Sequence, residues 1–282
     1  MHAFTVDVED WYHVENLRPV APREHWDEFT PRLEANQERL LALLEHHGIK
    51  ATFFVLGVAA RRHPAVVRRI VEAGHELACH GWSHELIYRQ SPELFREETR
   101  RAKGFLEDTA GVAVAGYRAS TFSIVTRSLW ALDVLAEEGF SYDSSIAPLR
   151  HDRYGIPDAP ENPHRRTLSG GRELAEFPVS FMRTLAGRLP LGGGFFRLFP
   201  LRWAVRAFDR YAARGAPAMI YIHPWEIDPG QPRVEGLKGL RRFRHYARIA
   251  KTYDKLDRLF SQVKFTTMRA ALEGASGPAL LG

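Results

Sequence analysis

Two histidines, His80 and His84, stand four residues apart in CHGWSH (79–84), and three acids, Asp7, Glu9 and Asp10, crowd TVDVED (5–10). Catalytic zinc takes three protein ligands, often two histidines and a carboxylate, and keeps a fourth position open. An H-x3-H pair alone specifies little. Its weight comes from its company, because Arg118, Asp143 and His223 also fall at the ends of apolar, strand-like runs. In parallel α/β folds the C-terminal ends of strands are where chemistry gathers. Convergence of these groups at one barrel mouth points to metal-assisted hydrolysis. The bland counterparts are a structural Asp7–Arg118 pair and a satisfied core histidine at 223. The single cysteine, Cys79, adjoins His80 as a soft ligand would. It reads better as a small buried apolar residue on a strand, and it leaves no intrachain disulfide to form.

The elements that must carry these groups alternate along the chain. Segment 3–8 alternates like a strand. Leu33, Leu40, Leu41, Leu43 and Leu44 recur at helical spacing, with Gly48 placed to stop that helix. Segment 50–57 predicts a short buried strand, 63–75 a helix begun at Pro64 and ended near Gly74, and 76–80 a third strand. A helix from Ser91-Pro92 to about 110 follows. Then come a strand at 111–118, a helix at 126–139 capped by Thr126 and stopped by Gly139, and a strand at 140–145. Further strands are expected at 175–181, 218–223 and 263–268, with helices near 199–214 and 239–262. Strands alternating with helices imply βαβ units and a parallel sheet, and about seven such units favour a barrel. The proline-bearing segment 147–174 reads as a loop-rich excursion within one domain spanning 1–282, with a ragged tail at 274–282.

Composition excludes several classes. Hydrophobic residues at 45% and charged residues at 26% of 282 suit a globular domain that buries a sizeable core. No run of 18 uninterrupted apolar residues exists, and the acidic N-terminus is unlike a signal peptide, so cytoplasmic residence is the default expectation. The formal charge of +5 is carried mostly by arginine. Basic stretches such as RRFRHYAR (241–248) read as solvated helix faces, and no nucleic-acid partner is expected. GGG at 192–194 lacks the flanking residues of a phosphate loop and predicts a tight turn at the barrel rim. Trp11, Trp82 and Trp225 are candidates for a sugar-stacking platform, with core packing as the alternative. His13, His75, His151 and His245 have no evident partners and read as structural.

TVDVED, ATFFVLG, GHELACHGWSH, GYRAST and YIHPWEID resemble, in order and spacing, the NodB-type polysaccharide deacetylases of carbohydrate esterase family 4. FPVS, LPLGGGFFRLFP, IHPWEID and RFRHYARIAKTYDKLDRLF are similar to a bacterial subgroup tied to exopolysaccharide and exosortase gene clusters. The resemblance implies an α/β fold, a distorted (β/α)7 barrel, that removes N-acetyl groups from a glycan with one divalent metal ion, expected to be Zn2+. It makes His80 and His84 metal ligands, Asp7 the catalytic base, Arg118 the partner of that base and His223 the general acid. It would place the enzyme near exopolysaccharide synthesis, and with no export signal, action on a precursor at the inner face of a membrane would reconcile the two.

Three departures leave questions open. The family's adjacent aspartates become DVED, so the third ligand is Glu9 or Asp10; on a strand of period two, Asp7 and Glu9 share a face. The arginine motif shrinks to RAS around Arg118. The carboxylate that backs the acid histidine is not evident, and Asp143 either fills that role or caps a turn. A small cyclic amide or ureide is the alternative substrate, and a non-catalytic glycan-binding barrel the alternative function.

Overall fold

Phe53, Phe54 and Val55 leave strand 52–55 without a polar face, as a parallel strand covered on both sides requires. The same logic runs through a computed structural model that describes residues 1–185 and 187–275. The first half contains β1 (His2–Val8), α1 (Leu33–His46), β2 (Thr52–Val55), α2 (Gly57–Arg62), α3 (Pro64–Glu72), β3 (Glu76–Cys79) and α4 (Pro92–Ala110). Then come β4 (Gly116–Tyr117), α5 (Trp130–Glu137), β5 (Tyr142–Asp143), β6 (His164–Thr167), β7 (Glu173–Glu176), β8 (Phe181–Thr184) and β9 (Gly187–Pro190). The chain closes with α6 (Gly193–Leu198), α7 (Leu201–Ala212), β10 (Met219–Ile222), α8 (Gly239–Tyr246), α9 (Thr252–Phe260), β11 (Phe265–Thr266) and α10 (Met268–Glu273).

The main sheet runs β10-β1-β2-β3-β4-β5-β7-β6, and β11 pairs the first residues of β1. Every neighbour from β10 to β7 is parallel, giving the seven-stranded curled α/β sheet of a distorted barrel; β6 joins β7 antiparallel. Between β7 and β10 the wall is carried by Leu191, whose N–H donates to the Ser180 carbonyl (2.8 Å), and by a bridge from Gly192 to Tyr221. A Cβ on Gly192 would lie 2.4 Å from the Tyr221 ring and carbonyl, so only glycine lets the chain seal the wall there.

Strand periodicity divides the core. Phe4, Val6, Phe53, Val55, Leu77 and Cys79 face the helices, while Phe54, Ala78, Tyr142, Met219 and Tyr221 face the barrel interior with Met268, Ala271 and Leu272 of α10. Burying each large apolar side chain is worth roughly 1.5–3 kcal/mol. Ser91 caps α4 by accepting from the Leu94 N–H (3.2 Å), and left-handed Gly111 ends that helix.

Several expectations change. The helix expected over 239–262 breaks at Arg248, which takes a left-handed φ of 58°, and becomes α8 and α9. The 111–118 strand shrinks to Gly116–Tyr117, and the 147–174 excursion contributes β6. Thr126 caps nothing; the Val125 N–H donates instead to Ser128 Oγ (2.9 Å). The tail beyond residue 275 lies outside the described residues. No helix among the described residues is long and apolar enough to cross a membrane.

Candidate active site

Donor atoms of Glu9, His80 and His84 lie within 4.8 Å of one another, and all three residues are buried. β1 ends just before Glu9, β3 just before His80, and the turn through Gly81 (φ 76°) returns His84 to the same point. His84 itself is left-handed (φ 56°), a conformation that costs a non-glycine residue about 1–3 kcal/mol and clusters at functional sites. His80 Nδ1 pairs with the carbonyl of Arg118 (2.8 Å); donation there leaves its Nε2 lone pair for a metal. Burial pushes the His80 imidazole down to about 4, so it stays neutral as a ligand must.

Burial would raise the Glu9 carboxyl, but His84, His223 and His80 outweigh it and hold it well below the carboxylate range. Its Oε2 lies 2.9 Å from His84 Nε2, yet makes no hydrogen bond. A buried carboxylate oxygen without a hydrogen-bond donor, beside the imidazoles of His80 and His84, fits a divalent cation.

Asp10 takes the other face of the strand end. One oxygen accepts from the Trp11 N–H (2.8 Å) and the other from the N–H groups of Arg32 (2.7 Å) and Leu33 (3.0 Å). Three backbone donors thus occupy Asp10 as a cap, and the acid that joins the histidines is Glu9.

Asp7 points into the barrel one pleat below Glu9. Arg118 Nη1 donates to Asp7 Oδ1 (2.6 Å) and to Thr5 Oγ1 (2.8 Å), while its Nη2 donates to Ser144 Oγ (3.1 Å). Arg118 is fully buried and lies 4.0 Å over the Phe54 ring. A buried guanidinium so bound keeps one carboxylate oxygen fixed and leaves the other for chemistry.

His223 leaves β10 on the same face. Its Nε2 lies 3.2 Å from Glu9 Oε1 and 3.9 Å from Asp7 Oδ2. Its Nδ1 bonds to Glu226 Oε2 (3.0 Å), and Arg197 Nε donates to the other Glu226 oxygen (2.6 Å). Burial works to lower His223, but Glu226, Glu9 and Asp7 overcome it and raise the imidazole to about 9. Glu226 is therefore the carboxylate behind His223. The sequence carried its signal, since Glu226 follows three residues after His223 in HPWE, across a turn begun by Pro224. Arg197 had no such signal.

Asp143 is buried elsewhere, bonded to Ser145 Oγ (2.6 Å) and the Ser145 N–H (2.9 Å), so it caps a turn. Trp82 is not in the cavity. It packs against Gly57, where a Cβ would meet its ring at 2.4 Å, and under Arg101 at 3.8 Å; it is a core residue. Trp11 is likewise buried, with its Nε1–H on the Thr30 carbonyl. Trp225 does line the cavity, but it is only 4% exposed and stacks on His223 (5.3 Å) and His245 (4.7 Å), so it supports the acid histidine more than it offers an open face. His13, His75 and His245 have local partners in Asp10, Ala51 and Gln231.

Asp7, Glu9, His80, His84, His223 and Glu226 open into one cavity of about 640 Å³, within the range of ligand sites. Asp7, Glu9, His80, His84 and His223 form its floor. Its walls are residues 14–16, 121–122 and 150–154, together with 193–195, Arg197, Leu198 and 244–245. Thr121 and Phe122 in that wall are both left-handed (φ 57° and 52°).

Comparison with known proteins divides the chain in two. Residues 26–138 match the family model for polysaccharide deacetylase, and residues 144–273 match a domain of unknown function, DUF3473. His80, His84 and Arg118 fall in the first stretch, His223 and Glu226 in the second, and Asp7 and Glu9 precede both. A peptidoglycan-N-acetylglucosamine deacetylase of Bacillus cereus is 29% identical over 129 residues, 42% of this chain and 44% of that protein. A chitooligosaccharide deacetylase of Bradyrhizobium sp. is 31% identical over 97 residues, 34% of this chain and 42% of that protein. The chain thus spans less than half the length of either relative. Among solved structures, a candidate polysaccharide deacetylase from Mycobacterium smegmatis superposes with a TM-score of 0.62 at 21% identity, covering 97% of this chain and 90% of that one. An allantoinase superposes at 0.60 and 20% identity, covering 96% and 88%. At such identities these likenesses establish the fold alone.

Proposed function

We propose that this chain is a polysaccharide deacetylase of the carbohydrate esterase family 4 type, a hydrolase that removes acetyl groups from the N-acetylated sugars of a glycan. One observation carries the reading: a held carboxylate, a His/His/Glu donor set and a carboxylate-backed histidine share one cavity floor. The family match over residues 26–138 and the deacetylase relatives support it.

A divalent cation held by Glu9, His80 and His84, with zinc suited to that donor set, would polarise the acetyl carbonyl and acidify the attacking water. Arg118 holds Asp7 through Oδ1, and Asp7 Oδ2 takes the proton of the water as it attacks. His223 directs Nε2 into the cavity, backed through Nδ1 by Glu226, and protonates the departing amine. Acetate and a free amino sugar leave, and the glycan gains positive charge. The likeness of segments 189–200, 222–228 and 242–260 to the exopolysaccharide-linked subgroup makes an exopolysaccharide or its precursor the preferred polymer.

Acetate release from N-acetylglucosamine oligosaccharides by metal-reconstituted protein tests the reading. Release should need both metal and Asp7. Metal binding without acetate from any glycan would overturn it. One observation favours a second reading: the cavity wall is rich in arginine, which suits a small cyclic amide or ureide. A ureide panel run beside the glycans separates the two.

A further inference from the structure

Three arginines on the cavity wall have charge to spare. Arg150 and Arg153 come from the loop after β5, and Arg244 from α8. Among the described residues, no carboxylate or carbonyl takes up any of their guanidinium groups. Glu15 pairs with Arg18 (3.5 Å) and Arg89 (3.6 Å); Asp152, exposed beside a His151 imidazole that burial pushes down, offsets one of the three positive charges and leaves the wall net cationic. Arg197 is spent on Glu226 and on the carbonyls of Arg244, His245 and Ala247.

The arrangement is built rather than scattered. His151 stacks on Tyr154 with ring centres 3.9 Å apart, and the charges of Arg153 and Arg244 both act on that pair. Arg197 Nη2 donates to the Arg244 carbonyl (2.8 Å) while its Nε holds Glu226 behind His223, so one side chain ties the cationic wall to the floor. Guanidinium forks match carboxylate and phosphate oxygens two at a time, and a half-enclosed wall of net positive charge strengthens that attraction.

We propose that the N-acetylated glycan taken by this chain is anionic, and that Arg150, Arg153 and Arg244 bind a carboxylate or phosphate of the same ligand whose acetamido group reaches the floor. This deepens, and rests on, the deacetylase reading. It also accounts for the arginine-rich wall without a ureide.

The test compares three substrates: neutral chitotetraose, a tetrasaccharide of alternating N-acetylglucosamine and glucuronic acid, and UDP-N-acetylglucosamine. Acetate release is measured with the wild type and with the triple variant Arg150→Gln, Arg153→Gln, Arg244→Gln. A second triple variant, Arg68→Gln, Arg214→Gln, Arg258→Gln, removes the same charge outside the cavity. The wild type should favour an anionic substrate over chitotetraose in kcat/KM by about tenfold or more, chiefly through KM, as charge-assisted hydrogen bonds imply. The wall variant should bring that ratio near one, and the distant variant should keep it. A preference confined to the uronate identifies a carboxylate, and one confined to the nucleotide sugar a phosphate. Equal use of neutral and anionic substrates by the wild type, or an unchanged ratio in the wall variant, overturns the proposal. If no substrate releases acetate, the deacetylase reading fails by itself and calorimetry decides this one. Salt-sensitive binding of an anionic sugar that the wall variant lacks would uphold it, and no binding would end it.

Discussion

The floor of the cavity and its wall are built on different principles. Floor residues lie at the ends of β1, β3 and β10, are at most 5% exposed except for His223, and have partners inside the barrel. Wall residues come from connecting loops and α8, keep exposed charge, and hold their place through backbone bonds such as that from Arg197 to Arg244. A change of charge on such a floor is costly, because removing one partner of a buried pair leaves the other desolvated and unpaired. A wall can change composition with little cost to the fold. In the proposed reading, chemistry belongs to the floor and choice of substrate to the wall.

The sharpest break of that contrast is the double variant His80→Ala, His84→Ala. Bound metal, measured by elemental analysis, should fall from about one equivalent per chain to near none, since a single carboxylate does not hold zinc. Asp7→Asn comes next. With metal retained, kcat should fall by roughly 10²–10⁴ while KM changes little, as loss of a general base implies. Glu226→Gln should be milder, lowering kcat about 10–100-fold by weakening the hydrogen bond that orients His223. Glu226→Asp should recover part of that loss, which a purely structural role for Glu226 does not require.

Two smaller effects sharpen the picture outside the reacting groups. Burial raises the carboxyl of Glu176 well above its usual range, with the neighbouring Asp143 adding to the shift. A carboxyl raised in the fold stabilises below its unfolded pKa, and that contribution is lost as pH rises toward the folded value. Wild-type stability should therefore fall by at most about 1.4 kcal/mol per pH unit in that interval. Glu176→Gln should flatten the decline in denaturant titrations across pH 5–9. Asp10→Asn should cost only about 0.5–2 kcal/mol, the worth of a cap, and leave metal content intact. Glu9→Gln should strip the metal. That pair of variants sets ligand against cap at adjacent positions.

Much of the floor was legible before any coordinates. Period two along TVDVED already put Asp7 and Glu9 on one face, and His80, His84 and His223, singled out by resemblance, meet them at the cavity while Arg118 lies behind Asp7. Glu226 was legible in principle from its spacing. Trp82 was misplaced, because aromatic type says nothing about which side of a strand end a residue takes, and Gly57 opens its socket from a different element. The broken helix after residue 238 escaped for a similar reason. Its continuous basic and apolar pattern gave no sign that Arg248 turns left-handed, with Ile249 then buried against the Trp11 and Trp225 cluster.

Local chemistry thus determined, from the chain alone, the parallel α/β architecture and the residue types at strand ends, since strand alternation and helix-stop signals act within a few residues. Tertiary structure decided the rest. It chose Glu9 over Asp10, because backbone N–H groups 22 and 23 residues away claim Asp10. It set Glu226 and Arg197 behind His223, and it gathered Arg150, Arg153 and Arg244 over one cavity. Hydrogen-bond satisfaction and charge pairing between distant segments made those choices, and such constraints appear only once the sheet has curled and brought the segments together.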